Sequence, residues 1–244
     1  MVAKSELGQH PPKDSLQAAL EAYKNEPHTP ELVTATWQAV WSDWRMRLAR
    51  EGVSLELTVP DLDWDQDEIE KPTKAVNGED VPTGMIYYPP EFSGEEGVRR
   101  LAVLFPQMKH TDLKYDLAMV HDQDETGWLN AETHRGDWVN VNTTEQNLRE
   151  HFASQVRVGM NRHQYIILAE FMRPLGTNID YHTDSRLLGT RNSEGGKVVR
   201  AGIRADNGTS LMVEGFVSIP NSPRYRDASL GGRLIRIKPV QKSR

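Results

Sequence analysis

The segment from residue 29 to residue 52 constrains the fold more than any other part of this sequence. Thr29 is a favourable N-cap and Pro30 a favourable first helical residue, and Gly52 supplies a stop. Between them, large apolar residues recur at helical spacing on one face: Val33, Trp37, Val40, Trp41, Trp44 and Leu48. Because aromatic stripes at this spacing usually face a core, we predict a buried amphipathic helix. A ligand-binding shelf or an assembly interface is the alternative use of the tryptophans.

Composition narrows the class of protein. The chain has 244 residues, which is enough to bury a sizeable core in one large domain or two small ones. It has no cysteine, which excludes disulfides, thiolate metal sites and cysteine nucleophiles and fits a reducing compartment. The polar N-terminus and the absence of a long apolar run argue against a signal peptide and a membrane span. The net charge of −6 argues against general nucleic-acid binding. From the missing cysteine and signal peptide we expect a cytoplasmic protein, or a virion protein if a phage encodes it.

The remaining N-terminal residues predict one more helix and one strand. Residues 1–13 have the composition of a frayed tail, and Asp14 can cap a short helix that continues to Tyr23. Apolar and polar residues alternate over 53–59, which is the period of a half-buried strand.

Residues 60–82 are predicted to be a solvated acidic linker. The spacing of Asp61, Asp63 and Asp65 is similar to that of a calcium-binding loop. However, Gln66 and Pro72 stand where such a loop needs glycine and a bidentate glutamate. We therefore divide the chain into an N-terminal helical segment, residues 1–84, and a C-terminal domain, residues 85–244.

The C-terminal domain alternates between predicted strands and helices. Strand-like segments are found at 85–88, 117–120, 198–204, 211–217 and 233–238. Two helices are predicted to follow residue pairs with capping-box spacing, Ser93 with Glu96 and Asn142 with Glu145. The apolar run at 165–175 is predicted to be a buried helix, with a buried strand as the alternative. Asn207-Gly208 is a favoured hairpin turn.

Two H-x-D pairs have the spacing used by non-haem iron sites. For His110 and Asp112, His163 could be the distal ligand and Arg173 a carboxylate clamp. The second pair, His182-x-Asp184, has no histidine after it. Surface histidines with local hydrogen bonds are the simpler interpretation.

A second polar cluster comprises His121, Asp122, Asp124 and Glu125. These side chains could bind a divalent cation or act as acid and base, and a solvated loop is the alternative. The sequence contains no G-x-S-x-G elbow, no Walker A loop and no G-x-G-x-x-G motif. We therefore predict no catalytic residues, no metal ligands and no cofactor.

Three motifs near the C-terminus carry a resemblance. They are S-R-L-L-G-T-R at 185–191, V-V-R-A at 198–201 and L-G-G-R at 230–233. Their order resembles the C-type-lectin-like fold of the formylglycine-generating-enzyme type, in particular the variable proteins of diversity-generating retroelements. The match covers about residues 159–236. It implies an α+β protein whose C-type-lectin-like domain has little regular secondary structure and is closed by a small sheet.

The resemblance implies a ligand-binding face on the exposed side of the C-terminal strands and loops. Carried onto this sequence, that face consists of Asn192, Arg200, Arg204, Glu214, Phe216, Ser218, Arg224 and Tyr225. The framework positions of the same pattern are Arg186, Gly189, Arg191, Gly231, Gly232 and Arg233. The face is not dense in tyrosine, tryptophan and asparagine, which departs from the retroelement proteins.

The enzymes of this fold need residues that the chain lacks. Formylglycine-generating enzymes act through cysteines, and related sulfoxide synthases use a three-histidine iron site with an H-x-x-x-H-x-E signature. Here there is no cysteine, and His10 and His28 are isolated. We therefore predict a non-catalytic recognition protein that binds a protein or small-molecule ligand, with oligomerisation through the N-terminal helices. The alternatives are a phage virion or other assembly component, and a metal-dependent enzyme centred on His110, Asp112, His121 and Asp124.

Overall fold

The computed structural model describes residues 13–108, 119–121, 124–135, 139–180, 183–192, 198–203, 211–212 and 230–237. Its α-helices are α1 (Lys13–Asn25), α2 (Pro30–Arg50), α3 (Gln66–Ile69), α4 (Gly94–Leu104), α5 (Glu145–Ser154) and α6 (Arg162–Met172). Its strands are β1 (Thr73–Lys74), β2 (Asp80–Val81), β3 (Thr83–Tyr88), β4 (Met119–His121), β5 (Gly127–Glu132), β6 (Val158–Gly159), β7 (Asp184–Asn192), β8 (Val198–Ile203), β9 (Leu211–Met212), β10 (Leu230–Gly232) and β11 (Leu234–Ile237). The mixture of helix and sheet confirms the α+β prediction.

Two larger sheets organise the described chain. One has the order β3-β5-β11-β6, with antiparallel pairing throughout, so that Met85 lies opposite Asn130 and Ile235 opposite Ala131. The other has the order β10-β7-β8-β9, and β4 pairs with β7. In the second sheet β10 runs parallel to β7, whereas β8 is antiparallel to it. The described parts of the strands predicted at the C-terminal end are therefore present, and residues 204, 213–217 and 238 of those predictions lie outside the described residues.

The tryptophan stripe of α2 packs into the core, as predicted. Thr29 accepts a hydrogen bond from the backbone N–H of Leu32, which caps the helix. The indole nitrogens of Trp37 and Trp41 donate to the carbonyls of Met85 and Tyr87 on β3, at 3.0 and 3.1 Å. These contacts satisfy the polar atoms of two large buried side chains. The stripe is therefore not available as a ligand shelf or an interface.

The strand predicted at residues 53–59 is wrong, although the alternation behind it has a structural counterpart. Val53, Leu55 and Leu57 are partly buried against the core, and the residues between them are exposed. The segment is extended but is not part of a sheet among the described residues. Alternating burial requires only one neighbouring apolar surface, whereas a strand also needs a hydrogen-bonding partner.

The solvated linker predicted at residues 60–82 is also wrong. This segment contains α3, β1 and β2, and it buries Leu62, Trp64 and Ile69 in the main hydrophobic cluster. The four aspartates between residues 61 and 67 are exposed, so the apolar and acidic residues are separated on opposite sides of the segment. The division into domains at residue 84 stays a prediction, and the hydrophobic cluster includes residues from both sides of it.

The helices predicted in the C-terminal part are present, but the side-chain caps predicted for them are not formed. Residues 162–172 form a helix rather than a strand, with a capping box between Asn161 and Gln164. The cap of α5 is Thr144, whereas Asn142 was predicted. Ser93 precedes α4, but its side chain caps none of the helix N–H groups, and its hydroxyl donates to the carbonyl of Pro90. Among the described helices, none combines the length and hydropathy needed to cross a membrane.

A buried arginine links the two sheets to α6. Arg233 lies between β10 and β11 and has no exposed surface. Its Nε and Nη2 atoms donate to the Asp180 carboxylate at 3.1 and 2.6 Å, and it also donates to the carbonyls of Glu132 and His134. The Tyr165 hydroxyl of α6 donates to the same carboxylate at 2.9 Å. Arg233 is therefore a buried structural residue, and its place in a lectin-like framework stays a prediction.

The other framework residues lie in different environments. Arg186 is buried and donates to the carbonyl of Thr143 at 3.0 Å, and Gly232 is buried beside Leu148. A Cβ at Gly189 would lie 2.8 Å from the carbonyl oxygen of Gly159, so a side chain there would meet backbone. Arg191 is exposed.

Candidate functional site

Four elements bring polar side chains together beneath the N-terminus of α6. His121 ends β4, Asp124 precedes β5, and His163 lies in the first turn of α6. Tyr88 ends β3 just before Pro89, and Asn161 caps α6. Because strand ends and a helix N-terminus meet here, residues that are distant in sequence become neighbours. We call this group the His–Asp cluster: Tyr88, His121, Asp124, Asn161 and His163.

Asp124 is the centre of the His–Asp cluster. Its Oδ1 atom accepts hydrogen bonds from the Tyr88 hydroxyl at 2.6 Å and from Asn161 Nδ2 at 3.0 Å. Its Oδ2 atom accepts from the backbone N–H of Gly94 at 3.0 Å. Burial by itself raises the pKa of Asp124, but hydrogen bonds from His121, Tyr88 and Gly94 outweigh it and lower the pKa to about 2. The side chain is therefore a carboxylate at neutral pH.

His121 and His163 flank this carboxylate. The Nδ1 atom of His121 lies 3.4 Å from Asp124 Oδ1, and the two imidazole rings are 4.2 Å apart in an edge-to-face arrangement. His163 is completely buried. Burial, followed by the charges of His121 and Arg162, holds its pKa well below the usual value. His163 is therefore a neutral imidazole at physiological pH.

The contacts of Tyr88 assign the tautomer of His163. The Tyr88 hydroxyl lies 2.6 Å from Asp124 Oδ1, 3.0 Å from the Phe92 carbonyl and 3.2 Å from His163 Nδ1. It has one hydrogen, which goes to the nearest and only charged acceptor, the carboxylate. His163 Nδ1 must then carry the hydrogen that it donates to the tyrosine oxygen. The other ring nitrogen, Nε2, keeps its lone pair, and it is buried with no hydrogen-bond partner among the described residues.

A groove next to the cluster opens to solvent. It has a volume of about 510 Å³, and Asp124 contributes to its lining. The other lining residues are Asp61, Asp63, Trp64, Glu125, Thr126, Trp128 and Ile237. The guanidinium group of Arg236 lies 4.5 Å from the centre of the Trp64 ring, beside this groove. The Asp124 side chain is 26% exposed, so the carboxylate is accessible from this side.

The structure describes only some of the metal candidates suggested by the sequence. His110, Asp112, Asp122 and His182 lie outside the described residues. His163 is a neighbour of His121 and Asp124, whereas the sequence offered it only as an alternative ligand beside His110. Glu125 is exposed and lines the groove. Arg173, the predicted carboxylate clamp, pairs with Glu170 on its own helix.

The predicted ligand-binding face lies mostly outside the part of the chain that the structure describes. Outside the described residues are Arg204, Glu214, Phe216, Ser218, Arg224 and Tyr225. The backbones of two members are placed: Asn192 ends β7 opposite Met119, and Arg200 lies in β8 opposite Arg186. The face therefore stays a prediction, with its first strands located in the second sheet.

Two members of the cluster were missed by sequence reasoning. Tyr88 was assigned only to a strand, and Asn161 was not identified as a helix cap. The spacing of Asn161 and Gln164 was a usable signal, because Asn followed three residues later by Gln before an apolar run is typical of a helix start. No local pattern indicates that Tyr88 contacts Asp124.

Comparisons of this chain with protein-family models, with curated proteins and with solved structures give no match.

Proposed function

We propose that this protein is a non-catalytic recognition protein, with a ligand-binding face on a C-type-lectin-like scaffold. The face comprises the residues from Asn192 to Tyr225 named above, and the ligand is a protein or a small molecule. Neither a cofactor nor general nucleic-acid binding is part of the proposal. The protein acts in the cytoplasm, or in a virion if a phage encodes it.

The observation that best supports this proposal is the buried network around Arg233. Arg233 and Asp180 tie the β10–β11 connection to the end of β5 and to α6. Gly189 and Gly232 permit close packing in β7 and β10. A binding face on flanking strands benefits from such a support, because a preorganised surface loses less conformational freedom when a ligand binds.

The test begins with ligand selection and ends with point variants. Purified protein is screened on a glycan array and against a displayed peptide library, and the affinity of the selected ligand is measured for each variant. Phe216→Ala and Tyr225→Ala should each weaken binding by about 30-fold, corresponding to about 2 kcal/mol for an aromatic anchor. Their melting temperatures should stay close to that of the wild type.

Trp128→Ala is the matched control, since this aromatic side chain lies in the groove rather than on the proposed face. Loss of binding in the control, with full binding by the two face variants, would move the ligand site to the groove. If Phe216→Ala and Tyr225→Ala instead unfold the protein, those side chains belong to the core and the face is misassigned.

Light scattering coupled to size-exclusion chromatography tests the virion alternative. A monomer or small oligomer supports the recognition protein, whereas a large closed assembly supports a structural role in a particle. Oligomerisation through the N-terminal helices would have to use surfaces other than the tryptophan stripe, which is buried within the chain.

A metal-dependent enzyme is the second candidate function, and one observation favours it. His163 joins His121 and Asp124, which gives a more complete donor set than the sequence indicated. The enzyme hypothesis requires turnover in addition to an ion. Hydrolysis of p-nitrophenyl acetate or p-nitrophenyl phosphate by zinc-loaded protein, abolished by Asp124→Asn, would support it.

A further inference from the structure

We propose that His121, Asp124 and His163 bind one divalent transition-metal ion of the zinc class. The proposal goes beyond the recognition function, because it uses residues and a surface that the predicted face does not include. Three features of the cluster support this: the spacing of its donor atoms, the unpartnered nitrogen of His163, and the access and charge of the groove.

The spacing of the donors is close to what a small divalent ion needs. One donor atom from each of the three residues lies within 4.8 Å of the other two. Zinc bonds of about 2.0–2.1 Å in a tetrahedral site place two ligand atoms about 3.3 Å apart. His121 Nδ1 and Asp124 Oδ1 are already 3.4 Å apart, close to this value.

The buried nitrogen of His163 supplies the second observation. Its Nε2 atom has a free lone pair in the tautomer assigned above, and it is buried without a partner among the described residues. Leaving such a polar atom unsatisfied costs free energy, which a metal bond removes. The Nδ1–H of the same ring is held by Tyr88, as second-sphere partners commonly hold the ring of a metal-bound histidine.

The donor types fit a borderline metal better than a hard one. Two imidazoles and one carboxylate suit zinc and its neighbours in the first transition row, whereas calcium and magnesium prefer oxygen ligands throughout. Tyr88, Asn161 and the N–H of Gly94 hydrogen-bond the carboxylate and fix its orientation. Three protein ligands leave a coordination position for water or an added ligand.

The groove offers an entry path with a favourable charge. Asp61, Asp63 and Glu125 line it together with Asp124. Clefts lined by one sign of charge raise the local concentration of counter-ions. The opposing charges are those of Arg162, which acts on His163 from the first position of α6, and of Arg236, which lies over Trp64 and pairs with Glu68. The four carboxylates that line the groove outnumber these cations, which favours a divalent ion.

The test measures zinc binding to the tag-free full-length chain after treatment with EDTA. Isothermal titration with ZnCl₂ should give one ion per chain, and the melting temperature should rise when zinc is added. His121→Gln and His163→Gln should each raise the dissociation constant by at least about 100-fold. His151→Gln is the matched control, because His151 is a partly exposed histidine on α5, away from the His–Asp cluster, that contacts Lys74, Gln155 and the Phe152 ring. This variant should bind zinc like the wild type.

A measurement on the wild-type protein keeps the test decisive if His163→Gln, a change at a buried position, does not fold. Zinc should shift the imidazole NMR signals of His121 and His163 and leave those of His28 and His151 unchanged. Co²⁺ in place of zinc should give the intense visible absorption of a four-coordinate site. No binding at micromolar free zinc would overturn the proposal, and so would one-to-one binding that survives in both His121→Gln and His163→Gln.

Discussion

Replacement of Arg233 by methionine is the sharpest test of the structure. The substitution keeps an apolar stem of similar length and removes the guanidinium group. Asp180 then loses two hydrogen bonds from Arg233 and keeps the one from Tyr165, and the carbonyls of Glu132 and His134 each lose a donor. Arg233 and Asp180 are both almost completely buried, so water cannot replace these contacts.

The expected loss of stability follows from the burial of the remaining charge. Removing one partner of a buried ion pair costs about 3–5 kcal/mol, because the other charge stays uncompensated. The orphaned carbonyls add to this, since an unsatisfied buried group costs about 1–3 kcal/mol. We expect Arg233→Met to lower the free energy of unfolding by about 4 kcal/mol, a large part of the about 5–15 kcal/mol typical of native proteins.

Urea denaturation followed by far-UV circular dichroism measures this loss. The midpoint should fall while the dependence of the free energy on urea stays the same. Arg99→Met is the matched control, because Arg99 is exposed on α4 and its loss should change stability by less than about 0.5 kcal/mol. A loss of less than about 1 kcal/mol for Arg233→Met would refute the assignment of a buried ion pair.

A double variant separates the charge from the packing. Asp180 has a φ of 54°, a conformation that asparagine tolerates better than most residues. Asp180→Asn therefore neutralises the carboxylate without imposing a new backbone strain. Combined with Arg233→Met, it should be less destabilised than the sum of the two single variants. An additive result would show that the two side chains do not interact.

Three further predictions concern pH and packing. Burial, and next the charge of Arg233, lowers the pKa of His134 below 6.5, so the unfolded state binds the proton more readily. The stability that the neutral His134 contributes is present above pH 6.5 and is lost as pH falls below that value, by at most about 1.4 kcal/mol per pH unit. Urea titrations from pH 7.5 to about 5 should therefore show a smaller decrease in the free energy of unfolding for His134→Gln than for the wild type. Gly189→Ala should lower the free energy of unfolding by about 1–3 kcal/mol, because the new methyl group meets backbone. Gly232→Ala should cost less, because it meets the flexible Leu148 side chain, and equal melting temperatures would contradict this. Trp41→Ala should cost about 3–5 kcal/mol, since it empties a core site and removes the bond to Tyr87, whereas the same change at the partly exposed Trp128 should cost less by chemical denaturation.

Local rules were enough to predict α2 and its orientation. The cap at Thr29, the proline at Pro30 and the apolar spacing all act within the helix itself, so they can be recognised without knowledge of the fold. The helix at 162–172 was also predicted, although its period was ambiguous from the apolar run alone. In both cases hydrogen bonds close between residues four apart, and the sequence contains all the partners.

Sheet partners and the burial of the acidic segment were harder to predict. Residues 53–59 have the alternation of a strand, but whether another strand lies beside them depends on distant parts of the chain. The aspartates of residues 60–82 led to the prediction of a solvated linker, although apolar residues lie between them. Leu62 and Trp64 alternate with exposed acids and pack against the core, so this alternation was a signal that charge composition obscured.

The sequence by itself determined a cysteine-free α+β chain with a buried tryptophan helix. It placed His121 and Asp124 in one polar cluster and His163 beside His110 in another, and it predicted a metal at neither. Only the tertiary structure decided that His121, Asp124 and His163 lie together. His163 is 42 positions beyond His121, and its approach depends on the docking of α6 against the ends of β3 and β4. The residue type alone fixes which functional group a side chain carries, whereas the distance between two side chains depends on packing across the whole chain.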